Sequence, residues 1–315
     1  MRPISEMKIL VTGGAGFVGS NLVFRLVSDG ARVTVLDDLF SGRLEQLPES
    51  DLVTFVKGSV TDEGLVKKLV ADADLIFHLA ARNIVVSTRE PRQDFEVNIG
   101  GTLNVLIAAR ERGVKVVYTS SASIYGNPRH LPINEDDGIS PLSPYSTSKL
   151  AGENYCLTFY ETYGLPTAVV RYSNIYGRNQ SPDNPYCGVV SKFFASVMAG
   201  EPPKIHGDGE QSRDFTYVED AVQATILAGT SVKAEGRVYN VSTGIETTVN
   251  QLASRIIDLY HADLKPVHID RRDVDNIRRR VCNIERIRKE LRWVPSLTLD
   301  RGLLLTKQWL EGRKS

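Results

Sequence analysis

The feature that most constrains the fold of this chain is a glycine-rich turn directly after its first apolar run. The segment KILVTGGAGFVGSNL places Gly13, Gly16 and Gly19 between a strand candidate, Lys8–Thr12, and the apolar start of a helix. Glycine there lets the backbone turn sharply, approach a pyrophosphate closely and pack the helix on the sheet. The helix N-terminus also offers N–H groups and a partial positive charge to phosphates. The sequence therefore predicts a dinucleotide-binding α/β unit.

An acidic residue at the end of the second strand candidate narrows the choice of dinucleotide. Asp37 follows the glycine turn by roughly the 20 residues typical of such sites. Its carboxylate would accept hydrogen bonds from an adenosine ribose 2′-OH and repel a 2′-phosphate, so NAD is favoured over NADP. The alternative is that Asp37 only caps a turn. The cofactor contacts predicted in this half of the chain are Gly13, Gly16, Phe17, Val18, Gly19, Asp37, Asp62, Leu79, Ala80, Ala81 and Asn98.

Several positions near this site also have purely structural interpretations. Asp62 could meet the adenine or could cap the helix that follows it, and both interpretations stay open. The segment FHLAA ends the fourth strand candidate with small residues, which would let a cofactor lie close. His78 in that segment is expected to be a packed structural histidine. Asn98 lies on an apolar-faced helix, where a bond to a neighbouring strand is expected.

Apolar runs alternate with helical patterns through the first half of the chain. The runs are apolar throughout, as is typical of parallel strands that are covered on both faces. They lie at Lys8–Thr12, Ala31–Leu36, Leu52–Val56, Ala73–Leu79 and Val114–Thr119, and a helix is predicted at Asp94–Arg112 with Gly113 as its end. This repeated order predicts an α/β fold of the Rossmann type, with a doubly wound parallel sheet.

The pattern of predicted elements changes after residue 175. Proline and glycine interrupt shorter elements, with a strand candidate at Arg237–Val241 and a helix candidate at Val249–Tyr260. We predict a Rossmann domain over residues 1–175 and a smaller mixed α/β substrate lobe over residues 176–315. Segments such as 210–245 are expected to return to the first domain, because no linker separates the two.

Tyr145 and Lys149, in the segment SPYSTSK, lie four residues apart near the start of a predicted helix. Side chains at this spacing project from one helix face. An adjacent ammonium would lower the pKa of the tyrosine from ~10 toward neutral pH. The phenolate could then take a proton from an alcohol while hydride leaves the same carbon. By itself the pair is more typical of a solvated helix face, but together with the glycine turn it predicts an active site.

Taken in order, the motifs resemble those of a known family. TGGAGFVG, DDLFSG, HLAA, SSASIYG, YSTSK, RYSNIYG and GDGEQSRDFTYVED occur as in extended short-chain dehydrogenases/reductases, specifically the NAD-dependent sugar-nucleotide epimerases and dehydratases. The resemblance covers nearly the whole chain. It implies that Tyr145 is the base and that Lys149 binds the nicotinamide ribose and tunes Tyr145. It also implies that Ser121 hydrogen-bonds the reacting oxygen.

The resemblance further implies contacts to a nucleotide sugar. Asn174 and Arg213 would bind its diphosphate, since a planar guanidinium suits phosphate oxygens. A second arginine of this kind corresponds to either Arg271 or Arg272.

Two later positions leave the identity of the sugar open. Arg280 stands where epimerases often make room for an N-acetyl group, so it could narrow the pocket or meet a carboxylate. The surrounding IRRR run could also be a solvated basic surface. Asn283 stands where relatives usually carry an aspartate.

The reaction is narrowed by the two residues that follow Ser121. Family dehydratases carry Asp-Glu there, and decarboxylases keep a glutamate at the second position, whereas this chain has Ala122 and Ser123. Neither can act as a carboxylate acid or base, so elimination is disfavoured. The resemblance therefore implies a nucleotide-hexose 4-epimerase, with UDP-glucose and UDP-galactose as the default pair.

Other reactions of the same fold remain open. An epimerase of UDP-glucuronate or a UDP-N-acetylhexosamine and a keto-sugar reductase are alternatives, and a dehydratase or decarboxylase is less favoured. A non-catalytic NAD-binding protein is disfavoured because Tyr145 and Lys149 are both present.

Composition limits the partners. The 38 Lys and Arg balance 38 Asp and Glu, so neither nucleic acid nor an anionic membrane surface is expected. No apolar run reaches the ~18 residues of a membrane span, and the start MRPISEMKILVTGG leaves no room for a signal peptide. Cys156, Cys187 and Cys282 lack metal-ligand spacing, so we expect a cytoplasmic protein with reduced thiols and no metal.

The resemblance implies a homodimer that pairs the helices predicted at Asp94–Arg112 and Tyr145–Tyr163.

Overall fold

The core of the molecule is a parallel sheet of seven strands, in the spatial order Val53–Lys57, Arg32–Asp37, Lys8–Thr12, Leu75–His78, Lys115–Ser121, Thr167–Tyr172 and Arg237–Val241. The computed structural model describes residues 3–182, 184, 188–271 and 277–312. Every neighbouring pair in the large sheet is parallel, which confirms the predicted doubly wound α/β fold. The strands are β1 (Lys8–Thr12), β2 (Arg32–Asp37), β3 (Val53–Lys57), β4 (Leu75–His78), β5 (Lys115–Ser121), β6 (Thr167–Tyr172), β7 (Asn174–Tyr176), β8 (Lys204–His206), β9 (Ser212–Arg213), β10 (Phe215–Tyr217), β11 (Arg237–Val241), β12 (Thr247–Thr248) and β13 (Val267–Ile269).

The predicted strands of the first half agree with the structure to within two residues at each end. The reason is that strands β1, β2, β4 and β5 are almost wholly buried, so side chains of both faces must be apolar. Two apolar clusters cover the sheet, one on each face. Leu22 of helix α1 and Ala221 of helix α8 belong to one cluster, and Val66, Val105 and Phe159 belong to the other.

The helices connect the strands and stand on both faces of the sheet. They are α1 (Phe17–Ser28), α2 (Glu63–Val70), α3 (Ile84–Arg89), α4 (Pro91–Asp94), α5 (Gly101–Arg112), α6 (Pro144–Tyr163), α7 (Val189–Met198), α8 (Val218–Thr230), α9 (Val249–Leu259), α10 (Glu285–Leu291) and α11 (Leu299–Gly312). Short 3₁₀ turns lie at Ile4–Glu6, Leu44–Gln46, Ala122–Tyr125 and Val232–Ala234. None of the helices built from described residues combines the length and apolar character needed to cross a bilayer.

The helix predicted at Asp94–Arg112 is more complex in the structure. Helix α4 starts at Pro91, where the missing N–H of proline costs no helical bond. A π-helical turn, Phe95–Gly100, joins it to α5. Gly113 ends α5 with a φ of 66°, as the sequence predicts. A periodicity of apolar residues does not distinguish a π turn from an α turn, so this feature was missed.

In the second half of the chain, the described residues form three two-stranded sheets, which pair β7 with β10, β8 with β13, and β9 with β12. Strand β11 instead returns to the large sheet and pairs with β6. The sheet therefore draws on residues on both sides of the predicted boundary at residue 175. The assignment of residues 176–315 to a substrate lobe stays a prediction.

Candidate active site

A cavity of about 350 Å³ lies at the carboxyl ends of the central strands. Strands β2 and β3 lie on one side of β1, and β4 lies on the other side, so the strand order reverses at β1. The cavity lies at this point of reversal, which is the usual ligand position in such sheets. Most of the predicted residues line it. These are Gly13, Gly16, Phe17, Val18, Gly19, Asp37, Leu79, Ala80, Ala81, Ser121, Tyr145 and Lys149.

The glycine turn is built for close backbone approach. Gly13 has a φ of 71°, and a Cβ there would lie 2.7 Å from the amide nitrogen of Ala80. A Cβ on Gly19 would lie 2.1 Å from the carbonyl oxygen of Gly13. Helix α1 begins after Gly16 with no side-chain cap on its first-turn N–H groups. This uncapped helix start after a glycine-rich turn fits the pyrophosphate of a dinucleotide.

Asp37 is buried at the end of β2 and lines the same cavity. Its two carboxylate oxygens accept hydrogen bonds from the backbone N–H groups of Ala15 (2.9 Å) and Leu39 (2.8 Å). Burial raises the pKa of this carboxyl, and these two hydrogen bonds oppose the rise. The residue therefore holds the turn and also presents a carboxylate to the cavity, so the two interpretations of the sequence are compatible.

Replacing Asp37 with alanine is expected to weaken NAD binding by about tenfold or more, because hydrogen bonds to a charged group are lost. NADP binding should weaken less or improve, since the charge that repels its 2′-phosphate is removed. Equilibrium titration of both dinucleotides measures the effect. Asp29→Ala is the control, because it removes the carboxylate of an exposed ion pair with Arg25 outside the cavity lining. An unchanged NAD:NADP ratio in Asp37→Ala would show that this carboxylate serves the turn alone.

Two predicted cofactor contacts lie outside the cavity lining. Asp62 caps α2, where its carboxylate accepts a hydrogen bond from the N–H of Leu65 at 2.9 Å. Asn98 is almost fully buried, and its amide oxygen accepts a hydrogen bond from the N–H of Arg82 at 2.7 Å. Asn98 therefore holds the loop after β4 rather than a strand, because the π turn directs it toward that loop. His78 donates or accepts hydrogen bonds with the hydroxyls of two threonines, Thr12 (2.6 Å) and Thr102 (2.9 Å), and is packed inside as predicted.

Helix α6 presents Tyr145 and Lys149 to the cavity from its first two turns. A capping box fixes this end of the helix: Ser143 accepts from the N–H of Ser146, and the Ser146 hydroxyl reaches back to Ser143. Strand β5 ends at Ser121, whose side chain lines the same cavity and lowers the pKa of Tyr145. Helix α6 and strand β5 thus place Tyr145, Lys149 and Ser121 in the wall of the same cavity.

The electrostatics of this pair differ from the sequence-based expectation. Burial raises the pKa of Tyr145 to about 12, and the hydrogen bond from Ser121 and the charge of Arg280 only partly oppose the rise. Burial also lowers the pKa of Lys149 to about 8, and its Nζ lies 4.6 Å from the centre of the Tyr118 ring. The expectation that Lys149 lowers the pKa of Tyr145 was wrong for the protein alone, because desolvation outweighs the nearby charges.

Of the predicted substrate contacts, Ser121 lines the cavity, whereas Asn174, Arg213 and Arg271 are not part of the lining. Asn174 starts β7, directly after the lining residue Ser173. Arg213 is buried, and its Nη1 donates to the backbone carbonyls of Ser212 and Ile277, both at 2.8 Å. Arg271 is exposed beside Gly207. Arg272 lies outside the described residues.

The two positions that left the sugar open have different surroundings. Arg280 is 6% exposed, and its charge acts on Tyr145, so it is not a solvated surface arginine. Asn283 bonds to Asn134 through its Nδ2 at 2.9 Å and accepts from the N–H of Glu285 through its Oδ1 at 2.8 Å. Asn283 therefore holds two chain segments together.

Sequence reasoning missed several polar residues of the cavity wall. They lie at or beyond the carboxyl ends of strands β2, β4, β5, β6 and β7, and the rule that ligands bind at carboxyl ends of parallel strands could have found them. They are Asp38, Ser41, Arg82, Asn83, Ser120, Ser173 and Gln180.

Comparisons with known proteins agree with this geometry. The model of the "NAD dependent epimerase/dehydratase family" matches residues 9–242. A UDP-glucose 4-epimerase of Mycolicibacterium smegmatis is 40% identical over 98% of this chain and 99% of its own. The crystal structure of UDP-glucose 4-epimerase of Thermotoga maritima with UDP-glucose has a TM-score of 0.94 and 36% identity, covering 98% of this chain and 100% of that one.

Other similar proteins carry different substrate names. The structure of a UDP-N-acetylglucosamine 4-epimerase from Methanobrevibacter ruminantium, in complex with UDP-N-acetylmuramic acid, has a TM-score of 0.92 and 34% identity, covering 98% of this chain and 99% of that one. Relatives at 34% and 32% identity are a UDP-N-acetyl-alpha-D-glucosaminuronate decarboxylase and a dTDP-glucose 4,6-dehydratase. Similarity at this level identifies the chemistry they share but leaves the sugar open.

Proposed function

Since this chain belongs to the NAD-dependent epimerase/dehydratase family and is an NAD-dependent nucleotide-sugar epimerase, we propose that it interconverts UDP-glucose and UDP-galactose by inversion at C4. The observation that carries the proposal is the meeting of Tyr145, Lys149 and Ser121 at the wall of the dinucleotide cavity. The identity of the sugar pair is supported by the relatives named for it.

The residues after Ser121 support epimerisation over elimination. Ala122 and Ser123 begin a 3₁₀ turn, and both are buried. Neither has a carboxylate that could move a proton at C5 or C6 of a hexose. Epimerisation requires only proton transfer at the C4 oxygen and exchange of a hydride at C4.

Each residue of the site has a role in this reaction. Bound NAD supplies the acceptor and later the donor of the C4 hydride. In its phenolate form, Tyr145 Oη accepts the proton of the C4 hydroxyl as the 4-keto sugar forms, and it returns this proton to the oxygen after the sugar has presented its other face. The Ser121 hydroxyl hydrogen-bonds the C4 oxygen, and Lys149 binds the nicotinamide ribose.

Protonation states set the conditions for these steps. With a pKa near 12, Tyr145 keeps its proton at neutral pH in the protein alone, whereas Lys149, with a pKa near 8, keeps most of its positive charge. The Ser121 hydrogen bond and the Arg280 charge both favour the phenolate. Tyr145 therefore acts as the base in its ionised form, which these two groups on other segments of the chain favour.

The substrate contacts are part of the proposal. Asn174 and Arg213 would bind the diphosphate, with help from Arg271 or Arg272. A UDP-hexuronate is the second candidate substrate, because the buried guanidinium of Arg280 acts on Tyr145 and could pair with a carboxylate at C6 of the sugar.

We also propose a homodimer formed by α5 and α6 with the turn before them. These elements pack together and leave large apolar side chains exposed. Phe95 is 54% exposed, Tyr163 is 50% exposed and Tyr155 is 38% exposed.

The first test incubates the purified protein with NAD⁺ and, separately, UDP-glucose, UDP-galactose, UDP-glucuronate and UDP-N-acetylglucosamine. Chromatography and proton NMR identify the products. We expect the C4 epimer of UDP-glucose or UDP-galactose with no net NADH. Epimerisation of UDP-glucuronate alone would favour the second candidate. A 4-keto-6-deoxy product, released CO₂ or steady accumulation of NADH would contradict the epimerase proposal.

A further inference from the structure

An ion pair between two loops of the cavity wall has a role that the reaction itself does not require. Arg82 Nη2 lies 2.6 Å from Asp38 Oδ2, and Arg82 Nη1 lies 3.5 Å from Asp38 Oδ1. The two side chains are 11% and 29% exposed. We propose that this pair is a clasp that closes over the adenosine half of bound NAD and slows its release. The proposal rests on the proposed function only in requiring bound NAD.

The sheet topology places the clasp across the dinucleotide site. Asp38 directly follows β2, and Arg82 lies in the loop after β4. Strand β1 lies between these two strands, and the glycine turn leaves from its end. Because adjacent strands are about 4.8 Å apart, β2 and β4 are separated by roughly 10 Å. An ion pair that joins their loops must therefore pass over the turn that would hold the pyrophosphate.

Both ends of the clasp are held by further contacts. On the β4 side, the backbone N–H of Arg82 is bonded to buried Asn98, and its Nε donates to Gln93 Oε1 at 3.1 Å. On the β2 side, Asp38 Oδ1 accepts from the N–H of Phe40 at 3.0 Å, and the Arg82 guanidinium lies 4.1 Å from the centre of the Phe40 ring. These contacts order both side chains in advance. Formation of the ion pair therefore loses less side-chain entropy than formation of a freely moving surface pair.

The clasp lies at the adenosine end of the cavity. The charge of Arg82 lowers the pKa of Asp37, the carboxylate predicted to bind the adenosine ribose, while the charge of Asp38 raises it. Tyr145 belongs to the opposite part of the cavity, on α6 beside β5. Because an epimerase regenerates its cofactor in every cycle, slow release of NAD does not lower the turnover rate. Opening the clasp should therefore speed the exchange of the cofactor.

The test measures release of NAD in the absence of sugar. Protein loaded with labelled NAD is mixed with excess unlabelled NAD, and the label that stays on the protein is followed over time. Asp38→Asn keeps an acceptor for the N–H of Phe40 but removes the charge, and Arg82→Gln removes the other partner. Each variant should release NAD about tenfold faster, as loss of a partly buried charge pair predicts. The double variant should be no faster than either single variant, because only one interaction is lost.

The matched control is the pair Arg25–Asp29 on α1, with a distance of 2.9 Å. The corresponding Arg25→Gln and Asp29→Asn variants should release NAD at the unmodified rate. Additive effects of Asp38→Asn and Arg82→Gln would overturn the clasp, since they would show two independent contacts to NAD. An unchanged release rate would also overturn it, as would faster release accompanied by an equal loss of thermal stability without NAD. Because no sugar is present, a wrong substrate assignment cannot produce any of these outcomes.

Discussion

Replacing Tyr145 with phenylalanine should lower turnover of the nucleotide sugar by about 10²- to 10⁴-fold, the usual contribution of a positioned acid–base group. The expected loss follows from the geometry, because Tyr145 lies in the cavity wall together with Ser121 and Lys149. NAD binding should change little, since the phenyl ring keeps its place. Turnover at saturating substrate and an NAD titration give the two quantities.

The control for this experiment is Tyr239→Phe, which removes a tyrosine hydroxyl far from the cavity. The hydroxyl of Tyr239 donates to Glu290 Oε2 at 2.7 Å. This variant should lose some stability and keep its turnover. If Tyr145→Phe retained turnover within a few-fold of the unmodified enzyme, Tyr145 would not be the group that accepts the proton.

A second large effect is expected from Arg171→Met, this time on stability. Arg171 and Glu153 form a buried ion pair that joins β6 to α6, and the two side chains are 4% and 1% exposed. Arg171 also donates to the hydroxyl of Tyr125 at 2.6 Å and to the backbone carbonyl of Glu135 at 2.7 Å. The substitution leaves the charge of Glu153 uncompensated in the interior. Removing one partner of such a pair typically costs about 3–5 kcal/mol of unfolding free energy.

A double-mutant cycle separates the loss of unfolding free energy caused by an unpaired buried charge from the coupling free energy of the ion pair. Arg171→Met combined with Glu153→Gln removes both charges and should recover part of the stability lost in Arg171→Met alone. Urea denaturation of the single and double variants measures the coupling. If the double variant were less stable than Arg171→Met by the full cost of Glu153→Gln, the two side chains would be energetically independent. Glu153 lies one helical turn after Lys149, so NAD binding by each folded variant shows whether the pair also orients the active-site turn.

Local patterns explain why much of the fold was predictable. The strands β1, β2, β4 and β5 are buried on both faces, which requires unbroken apolar runs. Gly19 is likewise a local signal: a Cβ at this position would collide with the backbone, so the sequence carries a glycine there. The spacing of Tyr145 and Lys149 places both on one face of a helix wherever that helix packs.

Residues whose environment depends on distant segments were not predictable in this way. Asp37 ends β2 and Asp62 follows β3, but Asp62 caps a helix whereas Asp37 lines the cavity. The partner of Asp38 lies 44 positions away in the chain, on a loop of the other side of β1. No local pattern pairs residues at such a separation, because the contact depends on the order of strands in the sheet.

The sequence alone determined the class of fold, the dinucleotide turn and the helix that carries the tyrosine–lysine pair, since each of these depends on neighbouring residues and on backbone conformation. Only the tertiary structure decided the pKa of Tyr145, which burial raises to about 12 against the charge of Arg280. Desolvation depends on how much protein from all parts of the chain surrounds a group. The same physical reason applies to the clasp of Arg82 and Asp38, which exists only because β1 separates the strands that carry its two ends.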